Sequence, residues 1–159
     1  MSYEYVFFWN NSPFSQWYIK PFTVDGILYC CCEQYMMYKK ALLFKDVNIA
    51  ARILLSQDPK TIKALGRKVM NFDSGIWDKH KVAIVTQCNY AKFTQNPDLF
   101  QALMSHSGKT FAEASPYDTI WGIGLEETDP RALDSKQWRG SNLLGRILTQ
   151  LRDGLILKE

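Results

Sequence analysis

The chain has 159 residues, of which 47% are hydrophobic and 22% are charged. A single hydrophobic core suits a chain of roughly 100–200 residues, so we expect one domain over residues 1–159. This composition excludes a disordered chain, and no segment approaches the roughly 18 apolar residues of a membrane-spanning helix. Nineteen basic and sixteen acidic residues leave a net charge of +3, which permits an anionic ligand without requiring nucleic acid.

The cysteine and histidine content argues against a metal centre. None of these residues has the paired spacing that zinc sites use: Cys30, Cys31, Cys32, Cys88, His80 and His106. Adjacent cysteines rarely satisfy disulfide geometry, so reduced, partly buried thiols are expected. From the Cys and His spacing we expect no metal, and we expect no cofactor. Residues 1–10 lack the basic region and cleavage pattern of a leader peptide, so we expect a cytoplasmic protein.

Short strands are predicted for the first part of the chain. Tyr5–Trp9 is aromatic and apolar, and Trp17–Ile19 has an alternating pattern. Asp25-Gly26 is a typical hairpin turn, so Ile27–Cys32 is the predicted returning strand.

The hydrophobic period changes to that of helices from Glu33 on. Helices are predicted over residues 33–44, 47–55, 59–69, 76–93, 99–104 and 142–157. Asp58-Pro59 supplies an N-cap followed by proline, and Asp73 or Ser74 caps the longest helix. The predicted buried side of that longest helix consists of Trp77, Val82, Ile84, Val85, Cys88 and Ala91. With a short strand at Thr110–Ala114 and a loop at 116–128, the pattern predicts a helix-rich α+β domain with a small antiparallel sheet.

Glu33 and Lys40 are the first candidate pair for chemistry. Seven residues are close to two helical turns, so both side chains lie on one side, about 10 Å apart along the axis. The helix dipole favours a carboxylate in the first turn, and such a carboxylate could stabilise a developing cation. Lys40 could act as an acid, a phosphate contact or an imine-forming amine. The alternative is a first-turn Glu placed for the dipole and a solvated Lys.

The segment from Asp118 to Gly124 is the second candidate. An acid and an indole three residues apart, followed by two glycines, suit a loop that brings the backbone close to a ligand. Trp121 offers a stacking face and Asp118 a hydrogen-bond acceptor. The alternative is a Trp that anchors a tight turn with a capping Asp.

The segment from Trp138 to Gly145 is the third candidate. Its polar, glycine-bearing turn leads into a helix whose first N–H groups could hold a phosphate, with Arg139 nearby. The alternative is simple helix capping by Ser141 or Asn142.

Taken in order, these patterns resemble the NADAR family, named for NAD and ADP-ribose, and its YbiA-like members in particular. The motifs that carry the resemblance lie within about residues 6–155: Phe14-Ser15, Glu33 with Lys40-Ala41, Leu65-Gly66-Arg67, Trp77, Ala91-Lys92-Phe93 before Asn96-Pro97, Glu113-Ala114-Ser115, Asp118-x-x-Trp121-Gly122-x-Gly124 and Trp138-x-Gly140-x-Asn142-x-Leu144-Gly145. The last two motifs are the most specific.

The resemblance implies a metal-independent N-glycosidase. Such enzymes cleave the N-ribosyl bond of riboflavin-pathway intermediates or remove ADP-ribose from guanine bases. The family pattern places functionally essential residues at Glu33, Trp77 and Asp118, and a lysine proposed to form a transient Schiff base at Lys40. It also implies substrate contacts in the pocket, for which we take Ser15, Trp77, Trp121, Gly122, Arg139 and Asn142.

The sequence departs from the family pattern at two places beside the expected pocket. Cys31-Cys32-Glu33-Gln34 stands where a Ser/Thr stretch and a His are usual, and Gln16-Trp17 stands where Asn-Phe is usual. These departures concern which substrate is bound more than which reaction is catalysed.

Three functions stay open at this point. The leading expectation is an enzyme for a ribosylated or ADP-ribosylated base, with nucleic acid carrying ADP-ribosyl-guanine as a further possible partner and no membrane partner. The second is a non-catalytic module that binds ADP-ribose or NAD. The third is a structural or interaction protein. The sequence sets no oligomeric state.

Overall fold

The computed structural model describes residues 4–158, so the ends of the predicted domain, residues 1–3 and 159, lie outside the described chain. The contacts group the chain into two compact units, one formed by Gln16–Asn96 and the other by the residues up to Ser15 together with those from Pro97 on. Within residues 4–158, none of the helices combines the length and the apolarity needed to cross a membrane.

The regular elements follow one another in this order: β1 (Tyr5–Phe8), β2 (Phe22–Val24), β3 (Ile27–Tyr29), α1 (Cys32–Leu43), α2 (Val47–Leu55), α3 (Pro59–Gly66), α4 (Ser74–Gln95), α5 (Pro97–Met104), β4 (Thr110–Glu113) and α6 (Leu143–Leu157). Two short 3₁₀ helices, Pro130–Leu133 and Ser135–Gln137, lie between β4 and α6. The predicted helix-rich α+β class with a small antiparallel sheet is confirmed.

The antiparallel pair is the predicted hairpin of β2 and β3. Phe22 pairs with Tyr29 and Val24 with Ile27, and the two residues between the strands have positive φ angles, 51° at Asp25 and 80° at Gly26. An Asp-Gly pair tolerates this left-handed backbone, which is why the turn could be predicted. The predicted strand at Trp17–Ile19 is wrong, since that segment has no regular structure and both Trp17 and Ile19 are exposed.

Aspartates begin three helices of the Gln16–Asn96 unit. The Asp46, Asp58 and Asp73 carboxylates accept hydrogen bonds from the backbone N–H groups of Ile49, Lys60 and Ile76. The predicted caps at Asp58 and Asp73 are therefore confirmed. Each bond satisfies an N–H that has no partner inside its helix.

The core of this unit lies between the hairpin, α1 and the second half of α4. Its buried cluster consists of Phe22, Tyr29, Cys32, Tyr35, Cys88 and Ala91. The prediction that Val82 is buried is wrong, because its side chain is 41% exposed. The helical period holds along all of α4, but it is the C-terminal half that packs into the core, and Val85 is the first fully buried residue there.

The other unit contains a strand pair that the sequence pattern did not reveal. β1 and β4 run parallel, with Val6 opposite Phe111 and Phe8 opposite Glu113. α6 packs against β4. Arg152 of α6 is 2% exposed and donates to the carbonyls of His106 and Lys109, which fixes the turn that leads into β4.

Candidate active site

Glu33 is a buried carboxylate in the first turn of α1. Its side chain is 4% exposed, and its backbone N–H donates to the carbonyl of Gln16 at 3.0 Å. Burial of a carboxylate requires compensation from neighbouring polar groups or charges. Its place in the first turn also suits the helix dipole, as the alternative reading stated, but the carboxylate is removed from solvent.

Gln34, which is part of one departure from the family pattern, is a buried amide with several hydrogen bonds. Its side-chain oxygen accepts from the N–H of Cys30 at 2.7 Å, and its nitrogen donates to the carbonyls of Ile53 and Ser56 at 3.1 and 2.9 Å. The amide therefore joins the start of α1 to the end of α2. Gln34 has a positional role beside Glu33.

Lys40 is half-buried, two turns along α1 from Glu33. Its Nζ donates to the carbonyl of Gly66 at 2.9 Å and lies 4.5 Å from the ring centroid of Phe72 and 5.9 Å from that of Trp77. Burial lowers the pKa of Lys40 below its ordinary value of 10.5, and the charge of Arg67 lowers it further. The charge of Glu33 opposes that shift.

Two parts of this arrangement were absent from the sequence analysis. Arg67 is the cation whose charge lowers the Lys40 pKa, whereas the Nζ of the adjacent Lys39 lies 5.6 Å from the ring centroid of Tyr35. Phe72 was not considered, although an aromatic residue directly before the predicted cap Asp73 was a usable signal. The structure thus brings Glu33, Lys40 and Trp77 together within the Gln16–Asn96 unit.

The Asp118 carboxylate holds the turn that follows it. Its Oδ1 accepts from the N–H groups of Ile120 and Trp121 at 2.9 and 2.8 Å, and its own N–H donates to Ser115 Oγ at 3.2 Å. This geometry matches the alternative of a capping Asp and a Trp in a tight turn. Both carboxylate bonds use Oδ1, so the turn does not engage Oδ2. Trp121 is half-buried.

The glycines of the two most specific motifs lie in close backbone packing. A Cβ on Gly122 would come within 2.8 Å of the Glu113 carbonyl. On Gly140 it would come within 2.9 Å of the backbone of Thr119 and would overlap the Gly122 carbonyl. These positions require glycine because two backbone segments meet there.

Asn142 joins this turn region to β4. It is 1% exposed and has a left-handed backbone with φ 51°. Its Oδ1 accepts from the N–H of Glu113 and its Nδ2 donates to the carbonyl of Phe111, both at 3.0 Å. It is the N-cap residue of α6, but its side chain makes no capping bond in the described chain. Both of these hydrogen bonds are to the strand.

The first N–H groups of α6 are occupied by protein carbonyls. Leu143 donates to Ile120 and Leu144 to Trp121, at 3.2 and 3.1 Å. These two N–H groups are therefore not available to a phosphate, although the sequence predicted a phosphate contact at this helix end. Arg139 is exposed and lines a depression of about 320 Å³.

Arg131 also lines that depression, and it donates to both carboxylate oxygens of Asp129, at 3.0 and 2.7 Å. Ser15 is buried, with its N–H donating to the carbonyl of Ser12.

Among residues 4–158, the cysteines and acids form no recognisable metal cluster. All four cysteines are buried free thiols. Across the described residues, no three or more His, Cys, Asp and Glu side chains group as metal ligands would.

Comparison with known proteins gives this geometry its context. The NADAR domain model matches residues 7–156. The N-glycosidase R617 of Acanthamoeba polyphaga mimivirus is 43% identical over 162 residues, which cover 94% of this chain and 95% of that protein. The chain therefore belongs to the NADAR domain family.

Two further relatives extend the comparison. The solved structure of the Escherichia coli protein YbiA, an N-glycosidase by name, superposes with a TM-score of 0.81 at 24% identity, covering 99% of this chain and 88% of that one. The chloroplastic riboflavin biosynthesis protein PYRR of Zea mays is 30% identical over 113 residues, which are 69% of this chain and 16% of that protein. The first comparison shows the shared fold, and the named N-glycosidases are hydrolases of N-glycosyl bonds.

Proposed function

We propose that this protein is an N-glycosidase that hydrolyses the bond between a base nitrogen and C1′ of a ribose. N-glycosidase activity is supported at the level of the family by the relatives that carry that name. The observation that carries the proposal is the pairing of a buried carboxylate, Glu33, with a lysine whose pKa is lowered, Lys40, beside the ring of Trp77.

Glu33 is the group that we assign to the developing positive charge. Breaking the bond between C1′ and the base nitrogen gives the sugar oxocarbenium character, and a carboxylate near C1′ stabilises it, as in the hydrolysis of sugar bonds. Because Glu33 is removed from water, its interaction with such a charge is less screened than it would be at the surface.

Lys40 is the group that we assign to covalent chemistry. In its neutral form, the amine adds to C1′ as the base leaves with the bonding electron pair and takes up a proton. The ribose ring then opens to an imine, and water hydrolyses the imine to release reducing ribose and regenerate the amine. The hydrogen bond to the Gly66 carbonyl uses an N–H, so it leaves the lone pair for carbon. A lowered pKa increases the neutral fraction.

Aromatic rings are the groups that we assign to the base. Trp77 and Phe72 flank Lys40, and Trp121 lies in the turn held by Asp118. Flat bases stack on such rings. We assign phosphate contact to Arg139. Direct substrate contacts by Ser15, Gly122 and Asn142 stay predictions, as does a catalytic role of Asp118 near C1′.

The substrate class is a (phospho)ribosylated or ADP-ribosylated base. Riboflavin-pathway intermediates and ADP-ribosyl-guanine both contain the required bond, and the name of the maize relative favours the first. A net charge of +3 is modest for an enzyme that follows a nucleic acid backbone, although ADP-ribosyl-guanine on nucleic acid stays within the proposal. We propose that the chain acts in the cytoplasm as a single NADAR domain.

A parallel assay of the two substrate types tests this proposal. The purified protein is incubated with riboflavin-pathway intermediates and with ADP-ribosyl-guanine, without added metal, and free base and reducing ribose are measured. Release from either substrate is the expected result, and no release from both contradicts the proposal. Borohydride reduction during turnover separately tests the imine: we expect a trapped adduct in the wild type that is lost in Lys40→Ala.

The alternative is a module that binds ADP-ribose or NAD without turnover. The observation that favours it is that Asp118 uses Oδ1 to hold its own turn, since stacking rings and a turn-capping acid serve binding as well as catalysis. Calorimetric binding of ADP-ribose, with no product after long incubation, distinguishes this module from the enzyme.

A further inference from the structure

A buried bond between two side-chain amides lies beside Glu33. Asn89 of α4 is fully buried, and its Nδ2 donates to the carbonyl of Val85 and to the side-chain oxygen of Gln16, both at 2.9 Å. Gln16 is 7% exposed. The bond joins residues 73 positions apart in the chain, so no local pattern marks it.

The backbone of Gln16 continues this connection to Glu33. Cys31, the residue before α1, makes no side-chain capping bond in the described chain. The first N–H groups of α1 therefore depend on other acceptors. The Gln16 carbonyl accepts from the Glu33 N–H at 3.0 Å. Asn89 fixes the side chain of Gln16, and Gln16 fixes the peptide that carries the Glu33 carboxylate.

The amide pair is not the most stabilising choice for this buried position. Among residues 4–158, neither Gln16 Nε2 nor Asn89 Oδ1 has a hydrogen-bond partner, and both atoms are buried. Buried polar atoms without partners disfavour the folded state, and an apolar pair of the same shape would avoid that cost. What the pair does provide is a connection from α4 to the start of α1, through the bond of Asn89 to Gln16 and the bond of the Glu33 N–H to the Gln16 carbonyl.

We propose that Asn89 is a positioning residue that acts on Glu33 through Gln16. The proposal rests on the proposed function to the extent that Glu33 is taken to face C1′ of the substrate. A carboxylate that stabilises a developing cation must be held to within about 0.5 Å of its productive place, and a second layer of hydrogen bonds provides this. Asn89 anchors that layer on the long helix α4.

Amide hydrogen exchange at Glu33 tests the positional link without any substrate. In Asn89→Ala, we expect the Glu33 N–H to exchange about tenfold faster or more, because its acceptor on Gln16 is no longer fixed. Asn96→Ala is the matched control. Asn96 Nδ2 also donates to the carbonyl four residues earlier and to a distant carbonyl, that of Pro21, with no bond to Gln16. Unchanged exchange in Asn89→Ala, or an equal rise in both variants, overturns the proposal.

Steady-state kinetics test whether the link matters to the reaction. We expect Asn89→Ala to lower kcat about tenfold or more, with KM within about threefold, because Glu33 acts on the transition state. In a Glu33→Gln background, the same change costs less than about twofold. Equal losses in both backgrounds would mean a merely structural role and would overturn the proposal.

A replacement variant and the independence of the exchange experiment cover two cases, an Asn89→Ala protein that does not fold and a wild type without turnover. Gln16→Met removes the same amide bond from its other end and keeps the backbone carbonyl, so it replaces Asn89→Ala where that variant does not fold. Absence of turnover by the wild type would refute the proposed function, and the exchange at Glu33 would still decide the positional role of Asn89.

Discussion

Asn142 gives the sharpest test of how the family's most specific motif works. The structure predicts that this residue acts mainly through the fold, because its amide bonds the N–H of Glu113 and the carbonyl of Phe111. Asn142→Gly removes both bonds and keeps a residue that tolerates the positive φ. Asn142→Ala removes both bonds and also places a Cβ on a left-handed backbone.

The magnitudes follow from these contacts. An unpaired buried backbone group costs about 1–3 kcal/mol, and the Glu113 N–H is only partly buried, so Asn142→Gly loses about 2–4 kcal/mol of unfolding free energy. The left-handed backbone costs alanine about 1 kcal/mol more than glycine. Ser141→Ala is the control, because Ser141 is exposed and its change is expected to stay within about 0.5 kcal/mol.

Chemical denaturation followed by tryptophan fluorescence measures these differences. The expected order of stability is wild type and Ser141→Ala, then Asn142→Gly, then Asn142→Ala. An Asn142→Gly variant as stable as the wild type, or less stable than Asn142→Ala, would refute the reasoning.

Three other outcomes can be checked on the same protein. Gly140→Ala lowers Tm strongly, because a Cβ would lie within 2.9 Å of the backbone of a neighbouring turn. Gly154→Ala has open space around the new Cβ and raises stability by up to about 1 kcal/mol. Equal Tm values for the two variants would contradict this. Burial lowers the pKa of Lys92, so the unfolded chain binds more protons than the folded one between that pKa and about 10.5. The free energy of unfolding of the wild type therefore rises with pH in this range relative to that of Lys92→Met, and parallel stability curves for the two proteins would count against it. Arg67→Gln removes a charge that lowers the pKa of Lys40, so the rise of kcat/KM with pH moves to higher pH, and a shift to lower pH would exclude the assigned role of Lys40.

Local features of the fold could be predicted from the sequence. Asp58 and Asp73 cap helices, and Asp25-Gly26 turns a hairpin, because each is fixed by a few neighbouring residues. The parallel pairing of β1 with β4 joins segments about a hundred residues apart, and no local pattern contains it. Val82 fits the helical period but is exposed. Periodicity shows which side of α4 is apolar, but not how far along the helix the rest of the protein packs against that side.

The candidate site divides in the same way. The spacing of Glu33 and Lys40 placed both on one side of α1, and the charge of Glu33 does reach Lys40. The burial of Glu33, the Gly66 carbonyl that binds Lys40 and the bond from Asn89 to Gln16 all depend on tertiary packing. The candidate residues Glu33, Lys40 and Trp77 were therefore accessible from sequence, whereas Phe72 was missed and the environments of these side chains were not accessible.

The most direct test of the account is base release by Glu33→Gln. This change keeps the size of the side chain and removes its charge, so we expect the circular dichroism spectrum and Tm to stay close to those of the wild type. The rate of base release from a ribosylated substrate should fall by about two orders of magnitude or more, because we assign stabilisation of the developing cation to this carboxylate. A folded Glu33→Gln protein that releases base at the wild-type rate would contradict the central claim.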